Sequence, residues 1–403
     1  MRVVAINQYA RHVGGIESYL DLVLPAIAAA GHEVALLYET GKREPHPVSL
    51  PGNSACWSAE TLGHEGAIRA MKEWKPDVLF LHSVDDPSFE AALRGGGGTP
   101  TVMFAHQYHG TCISGTKAYA FPTTVPCARV FGPACLALYY PRRCGGLDPR
   151  TMLRDYRRQR LRLSLVRGYE AIVTHSEHMR QEYVRHGVPS QRVHQLPFPV
   201  ATTATPYLRS DTASPPAEWR LLFVGRMEHL KGGQLFLKAL PQVARALSTP
   251  LHVTLIGDGR ERAAWEGRAR TAEGRVSNLR ISFAGWVDRS AISDRYAESH
   301  LLVVPSLWPE PLGMVGPEAG LQGVPAAAFR VGGVPHWLED GINGHLADGA
   351  PPKAGNLAEA IVKCLGDPKH YAALSRGAHD RAQRFLLDAH VEALIAVFAR
   401  HLP

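Results

Sequence analysis

The 403 residues exceed the roughly 100–200 of a single domain, so two medium domains are the first expectation. Hydrophobic residues at 45% and charged residues at 20% exclude disorder for most of the length, and six cysteines are too few for a disulfide scaffold. An excess of 44 Lys and Arg over 37 Asp and Glu leaves +7, which favours an anionic partner without choosing among nucleotide, acidic glycan, membrane surface and nucleic acid.

Met1 leads directly into the strand-like Arg2-Val3-Val4-Ala5-Ile6-Asn7 rather than into a secretory apolar region, and no apolar run approaches the roughly 20 residues that span a bilayer. A cytoplasmic enzyme or binding protein is expected. Short apolar strands then alternate with helical stretches, the pattern of parallel sheets with crossover helices. The first series is expected at Val3–Asn7, Glu33–Tyr38, Asp77–His82, Thr101–His106 and Ala171–Ser176. Behind the first strand, Gly14-Gly15-Ile16-Glu17-Ser18 opens a periodic run from Tyr19 to Leu24. Glycines at a strand-to-helix turn let the backbone approach a phosphate, although the same turn serves plain packing.

Between His106 and Asp148 lie Cys112, Cys127, Cys135 and Cys144. Four clustered cysteines suit zinc, but there is no C-x-x-C knuckle, and buried reduced thiols packing this loop are the other reading. Asp148-Pro149 is a good cap and first-turn pair for an arginine-rich helix. Helical spacing puts Met152, Leu153, Tyr156, Leu163 and Val166 on one face and Arg150, Arg154, Arg157, Arg158 and Arg162 opposite. Nine arginines against two aspartates between Arg142 and Arg167 account for the whole +7. This basic helix suits an anionic membrane or an acidic acceptor as well as simple solvation; no recognition motif for nucleic acid accompanies it.

Ala201–Glu218 is rich in Thr, Ser, Pro and Ala and reads as a linker. A second series follows at Arg220–Gly225, His252–Gly257, Arg280–Gly285, Leu301–Pro305 and Ala326–Val331, with helices from Pro368 to the end. Two doubly wound units would point the carboxyl ends of their strands toward a shared cleft. Arg226 and Lys231 follow the first of these strands, where they can neutralise a departing diphosphate, although a solvated charge pair would look the same. The stretch Pro305-Ser306-Leu307-Trp308-Pro309-Glu310-Pro311-Leu312-Gly313-Met314-Val315-Gly316-Pro317-Glu318 places one glutamate before a turn and another inside the next helix. Each carboxylate can accept hydrogen bonds from sugar hydroxyls, and Gly313 and Gly316 can turn backbone amides toward phosphates.

Taken in order, Gly14-Gly15-Ile16-Glu17, Val224-Gly225-Arg226 with Lys231-Gly232, Ile256-Gly257-Asp258-Gly259, Phe283-Ala284-Gly285-Trp286-Val287, the Glu310 to Glu318 element and Val331-Gly332-Gly333-Val334-Pro335 resemble the GT4 family of retaining, nucleotide-sugar-dependent glycosyltransferases. The resemblance covers nearly the whole chain. It implies an α/β GT-B fold of two Rossmann-like domains. Residues 1–200 would bind the acceptor and carry an insertion at 107–147, 201–218 would link, 219–384 would hold the nucleotide sugar, and 385–403 would cross back to the first domain. It also implies donor contacts from Gly14, Gly15, Gly225, Arg226, Lys231, Gly257, Glu310, Leu312, Gly313, Met314, Val315 and Glu318. Within that set Arg226 and Lys231 would neutralise the diphosphate, Glu318 would bind the ribose and Glu310 the donor sugar, while His106 would stand beside the anomeric carbon. His106, Arg226, Lys231 and Glu310 form the implied catalytic set.

No Asp-x-Asp element holds a metal and no cofactor is required beyond a nucleoside-diphosphate sugar as donor, with a glycan, lipid-linked or small-molecule acceptor. Two departures stand out: Leu196-Pro197-Phe198-Pro199-Val200 where an Asn-Gly pair is common, and His336 where Glu commonly follows Gly-Gly-x-Pro. The expected activity is hexose transfer with retention. A GT-B sugar-nucleotide epimerase or hydrolase, or a non-catalytic nucleotide-sugar-binding protein, is the alternative. The expected location is cytoplasmic, with a peripheral membrane contact through Arg150–Arg167.

Overall fold

The computed structural model describes residues 1–41, 48–94, 98–200 and 216–402. Its first half runs β1 (Arg2–Asn7), α1 (Gly15–Ala29), β2 (Glu33–Tyr38), β3 (Cys56–Ser58), α2 (Ala59–Glu73), β4 (Val78–Leu81), α3 (Pro87–Arg94), β5 (Thr101–Phe104), β6 (Ala118–Tyr119), β7 (Val125–Pro126), α4 (Ala134–Leu138), α5 (Pro149–Val166), β8 (Ala171–Thr174), α6 (Glu177–Arg185) and β9 (Val193–Gln195). The second half runs β10 (Trp219–Val224), α7 (Gly233–Leu247), β11 (Leu251–Ile256), α8 (Arg262–Glu273), β12 (Leu279–Gly285), α9 (Arg289–Glu298), β13 (Leu301–Val304), α10 (Val315–Leu321), β14 (Ala326–Phe329), α11 (Val334–Trp337), β15 (Gly344–Ala347), α12 (Ala354–Leu365), α13 (Pro368–Ala382) and α14 (Leu387–Arg400).

Seven strands form one parallel sheet in the order β3-β2-β1-β4-β5-β8-β9, and six form another in the order β12-β11-β10-β13-β14-β15. Every residue of β4, β5, β8, β13 and β14 is buried, as a parallel sheet covered by helices on both faces requires. In each sheet the strand order reverses beside the first strand, between β1 and β4 and between β10 and β13. These are the switch points at whose carboxyl edges open α/β sheets bind ligands.

The alternation of the sequence thus does give two doubly wound units, with two kinds of correction. Strands expected to reach His82, His106, Ser176, Gly225, Gly257, Pro305 and Val331 stop one or two residues earlier, and at two of these ends the backbone turns back on its own strand. His106 N–H turns back to Phe104 O at 3.1 Å, and Val331 N–H to Phe329 O at 2.9 Å. The short strands β3, β9 and β15 were not expected at all. Of the expected linker, 201–215 lies outside the described residues.

The faces of α5 also differ from the expectation. Asp148 caps it, accepting from Arg150 N–H and Thr151 N–H. Arg162 is buried, donating to Val84 O at 2.6 Å and to Asp85 O at 3.0 Å, with Glu90 at 3.7 Å. Leu153 is exposed instead, and the solvent face reads Arg150, Leu153, Arg154, Arg157, Arg160, Leu161 and Ser164 at spacings of three and four.

The segment before α5 has a small core of its own, Ile113, Phe131 and Tyr139 against Leu163 of α5. A buried ion pair between Lys117 and Glu182 of α6 ties it down, and Lys117 Nζ also donates to Arg129 O at 2.6 Å. Cys112, Cys127, Cys135 and Cys144 are all unpaired and half-buried. Burial pushes the Cys144 thiol up to about 11. Among the described residues no group of three or more His, Cys, Asp and Glu stands where it could hold a metal ion.

At the far end of the chain, α14 packs on α1, where Tyr19 Oη and His390 Nε2 lie 2.8 Å apart. Val200 N–H donates to Phe385 O at 2.8 Å, and Val200 forms a parallel bridge with Leu386.

Candidate active site

The carboxyl edges of both sheets enclose a cleft of about 600 Å3. Gly15 and Ile16 enter it after β1, His106 after β5 and His175 after β8. From the other sheet come Gly225, Arg226 and Lys231 after β10 and the run from Ser306 to Val315 after β13. Ser114, Gly115 and Thr116 reach it from the segment between β5 and α5.

Glu310 is the best-held charge in the cleft. Its Oε1 accepts from Lys231 Nζ at 2.7 Å and from Ser306 Oγ at 2.6 Å, and its side chain is only 7% exposed. Burial alone would push the carboxyl up, but the Lys231 ammonium and the Ser306 hydroxyl overcome it and hold the group below the ordinary carboxylate range. The ammonium also sits 5.5 Å over the Trp308 ring, a cation–π contact that narrows where it can move. Arg226 differs: its side chain is 69% exposed, with Glu228 at 3.6 Å, so it is free to swing toward an incoming anion.

Two glycines let these loops approach each other. Gly232 sits at φ +72°, and a Cβ there would overlap Pro305 O, so Lys231 can lie against the β13 loop only with glycine next to it. Gly257 sits at φ +122°, where a Cβ would overlap Gly225 O.

On the first sheet, three neighbouring strands each end at a histidine: His82 after β4, His106 after β5 and His175 after β8. His82 Nδ1 and His106 Nε2 share a hydrogen bond of 2.9 Å. Burial, reinforced by His82, His175 and His390, pushes the His106 pKa well below its ordinary value, so its imidazole is neutral near pH 7. Burial takes His82 and His175 down to about 3 and His390 to about 4.

Of the residues singled out from sequence, Gly15, His106, Gly225, Arg226, Lys231, Glu310, Leu312, Gly313, Met314 and Val315 meet in this cleft. Gly14, Gly257 and Glu318 do not line it. Gly14 N–H instead donates to Glu17 Oε2 at 2.8 Å, Gly257 supports Gly225 from behind, and Glu318 Oε2 accepts from Tyr296 Oη at 2.9 Å. Sequence reasoning missed His82, His175, Ser306 and Trp308. The histidines had a signal, since three apolar strands each closing on His is a pattern visible in Leu81-His82, Ala105-His106 and Thr174-His175.

Residues 13–203 match the family described as Glycosyltransferase Family 4, and residues 218–367 match the one described as Glycosyl transferases group 1. The chain is similar to a D-inositol 3-phosphate glycosyltransferase of Xylanimonas cellulosilytica, 29% identical over 59% of this chain and 58% of that one. It is also similar to the protein of the same name from Pseudarthrobacter chlorophenolicus, 26% identical over 92% of this chain and 86% of that one. Among solved structures it is similar to HepE of Anabaena in complex with UDP and glucose, with a TM-score of 0.68 over 99% of this chain and 100% of that one at 17% identity, a likeness of fold.

Proposed function

We propose a function for a chain that belongs to glycosyltransferase family 4 and has the GT-B fold: it moves a hexose from a nucleoside diphosphate to an acceptor held by the first unit, with retention at the anomeric carbon. The observation that carries this reading is the Lys231–Glu310 pair, held at the carboxyl edge of the second sheet where it faces that of the first. Breaking the bond from sugar to diphosphate leaves an oxocarbenium-like sugar and an anionic leaving group, so stabilisation has to be aimed at both. Lys231, the swinging Arg226 and the backbone around Gly313 serve the anion. Glu310 accepts hydrogen bonds from the sugar hydroxyls and fixes the ring.

His106, being neutral, offers the sugar a hydrogen bond without placing a second positive charge beside the forming cation. The acceptor hydroxyl attacks on the face that the leaving group vacates and gives its proton to a phosphate oxygen, so the chain needs no carboxylate nucleophile. Glu318, partnered by Tyr296 outside the cleft, would reach a ribose only after leaving that partner.

In this reading residues 1–200 together with 385–403 form the acceptor unit, and residues 219–384 the donor unit. The acceptor is a glycan, a lipid-linked sugar or a small polyol. The exposed arginines and leucines of α5 suit an acidic acceptor or an anionic membrane surface bearing it. No described helix is long and apolar enough to cross a membrane.

The test is incubation with a panel of UDP- and GDP-sugars, alone and with candidate acceptors, followed by NMR of the product anomer. Transfer with retention is expected, abolished in Glu310→Ala. Donor hydrolysis without transfer to any acceptor would favour a hydrolase, and an inverted product would refute the stereochemistry.

A further inference from the structure

The loop that carries Glu310 is flanked by Pro309 and Pro311, neither of which has an N–H to anchor it, so its hold on the rest of the chain depends on carbonyls. Four consecutive ones are engaged. Glu310 O accepts from Gly333 N–H at 2.6 Å and Leu312 O from Trp337 Nε1–H at 2.7 Å, both within the second unit. The other two are taken from across the cleft: Tyr108 Oη donates to Pro309 O at 2.6 Å, and Ser176 Oγ donates to Pro311 O at 2.5 Å.

Both hydroxyls are oriented for this task. Tyr108 Oη also lies 2.8 Å from His178 Nε2. A phenol has one proton and a carbonyl can only accept, so the proton points at Pro309 O and His178 donates to the phenol oxygen. Ser176 caps α6, its Oγ accepting from Met179 N–H at 3.3 Å, which leaves its single proton for Pro311 O. Tyr183, also on α6, donates toward Gln107 O at 3.1 Å and His109 O at 3.3 Å, the carbonyls on either side of Tyr108. The approach is close as well: a Cβ on Gly333 would overlap Pro311 O and come within 2.9 Å of Ser176 Oγ.

We propose that Tyr108 and Ser176 are positioning residues that set the Glu310 carboxylate from the opposite side of the cleft, so that the donor-sugar site is complete only while the acceptor unit is docked on it. This rests on the reading of Glu310 as the donor-sugar ligand. The diphosphate contacts proposed for Lys231 and Arg226 come from the second unit, so nucleotide binding depends on closure less than the sugar site does, although Lys231 shares a hydrogen bond with Glu310. Donor would therefore bind to an open cleft through its nucleotide half, and its sugar would be oriented for departure only on closure, which suppresses loss of the sugar to water.

The test compares Tyr108→Phe, Ser176→Ala, their double variant and Ser176→Thr with the wild-type chain. Phenylalanine keeps the ring and removes only the proton donor; threonine keeps both the cap and the hydroxyl. Amide exchange of the 306–315 backbone, measured without substrate, should quicken about tenfold in the double variant and stay near wild type in Ser176→Thr. With a donor that the wild type turns over, kcat should fall about tenfold in the double variant while the affinity for free UDP or GDP stays within twofold.

Unchanged exchange in the double variant would overturn the proposal. So would a loss of nucleotide affinity in step with kcat, since that would mark a general loosening. If the wild type turns over no sugar nucleotide, the transferase reading fails, and the exchange of residues 306–315 still decides whether Tyr108 and Ser176 hold the loop.

Discussion

Replacing Lys231 by alanine leaves the Glu310 carboxylate in place without its cation, and the consequence depends on pH in a direction that the geometry fixes. Removing one partner of a buried ion pair costs about 3–5 kcal/mol. Lys231 is 23% exposed on the cleft, so water can enter behind it and the lower end, about 3 kcal/mol near pH 7, is expected. For a unit of this size that is a fall in Tm of roughly 6–12 °C.

In the wild type the folded carboxyl lies below its unfolded value of about 4.5, so the stabilisation is full above that pH and is lost as pH falls through the folded value. In the variant the Ser306 hydroxyl remains but the ammonium is gone, so burial outweighs what is left and the folded carboxyl rises above the unfolded value. Its penalty is then full at neutral pH and fades on acidification. Melting curves of wild type and Lys231→Ala should therefore converge as pH falls from neutrality through 4.5 and on through the lower folded value of the wild type. Adding Glu310→Gln, which removes the charge, should recover half or more of the lost Tm at pH 7. A gap that stays constant with pH, or a double variant no more stable than Lys231→Ala, would refute the reasoning.

Three further outcomes follow from other parts of the molecule. Gly257→Ala should cost about 1–3 kcal/mol and weaken nucleoside-diphosphate binding as well, because the added methyl meets Gly225, which lines the cleft; thermal melts and calorimetry with UDP and GDP check both effects. His82, His175 and His390 have folded pKa values far below the unfolded 6.5, so stability is full above about 6.5 and falls as pH descends through the folded values. Each adds a slope approaching 1.4 kcal/mol per pH unit, and urea titrations should show His175→Phe with about one proton less. On the proposed docking of α5 to an anionic surface, reversing charge at Arg154, Arg157 and Arg160 together should weaken binding to vesicles containing anionic lipid more than about tenfold, as read by co-sedimentation; a wild-type chain that does not bind such vesicles would refute the membrane reading.

The sheets were legible because buried parallel strands are continuous apolar runs, and most of the cleft was legible only through the family resemblance, since charges and glycines at strand ends also serve solvation and packing. What escaped has a common cause. Cys56-Trp57-Ser58 and Val193-His194-Gln195 pair as strands of three residues, too short to show a period and held only by neighbours in the sheet. Arg162 belongs by residue type on a solvent face, yet it is buried because carbonyls 77 and 78 positions away accept from its guanidinium. Tyr108 and Ser176 reach carbonyls 201 and 135 positions away, and a backbone carbonyl looks the same in every sequence. Glu318 was placed correctly in its helix, whereas its present partner, Tyr296, depends on how α9 packs against α10.

On the proposed division the chain leaves the acceptor unit after Val200 and returns to it near Leu386, and at these two places it runs parallel and hydrogen-bonded to itself. Two bodies joined by a single thread can swing, swivel and slide. Two adjacent passages that are themselves tied together restrict swivel and sliding more than one does. In the proposed closure that restriction would return Tyr108 and Ser176 to the same two carbonyls each time.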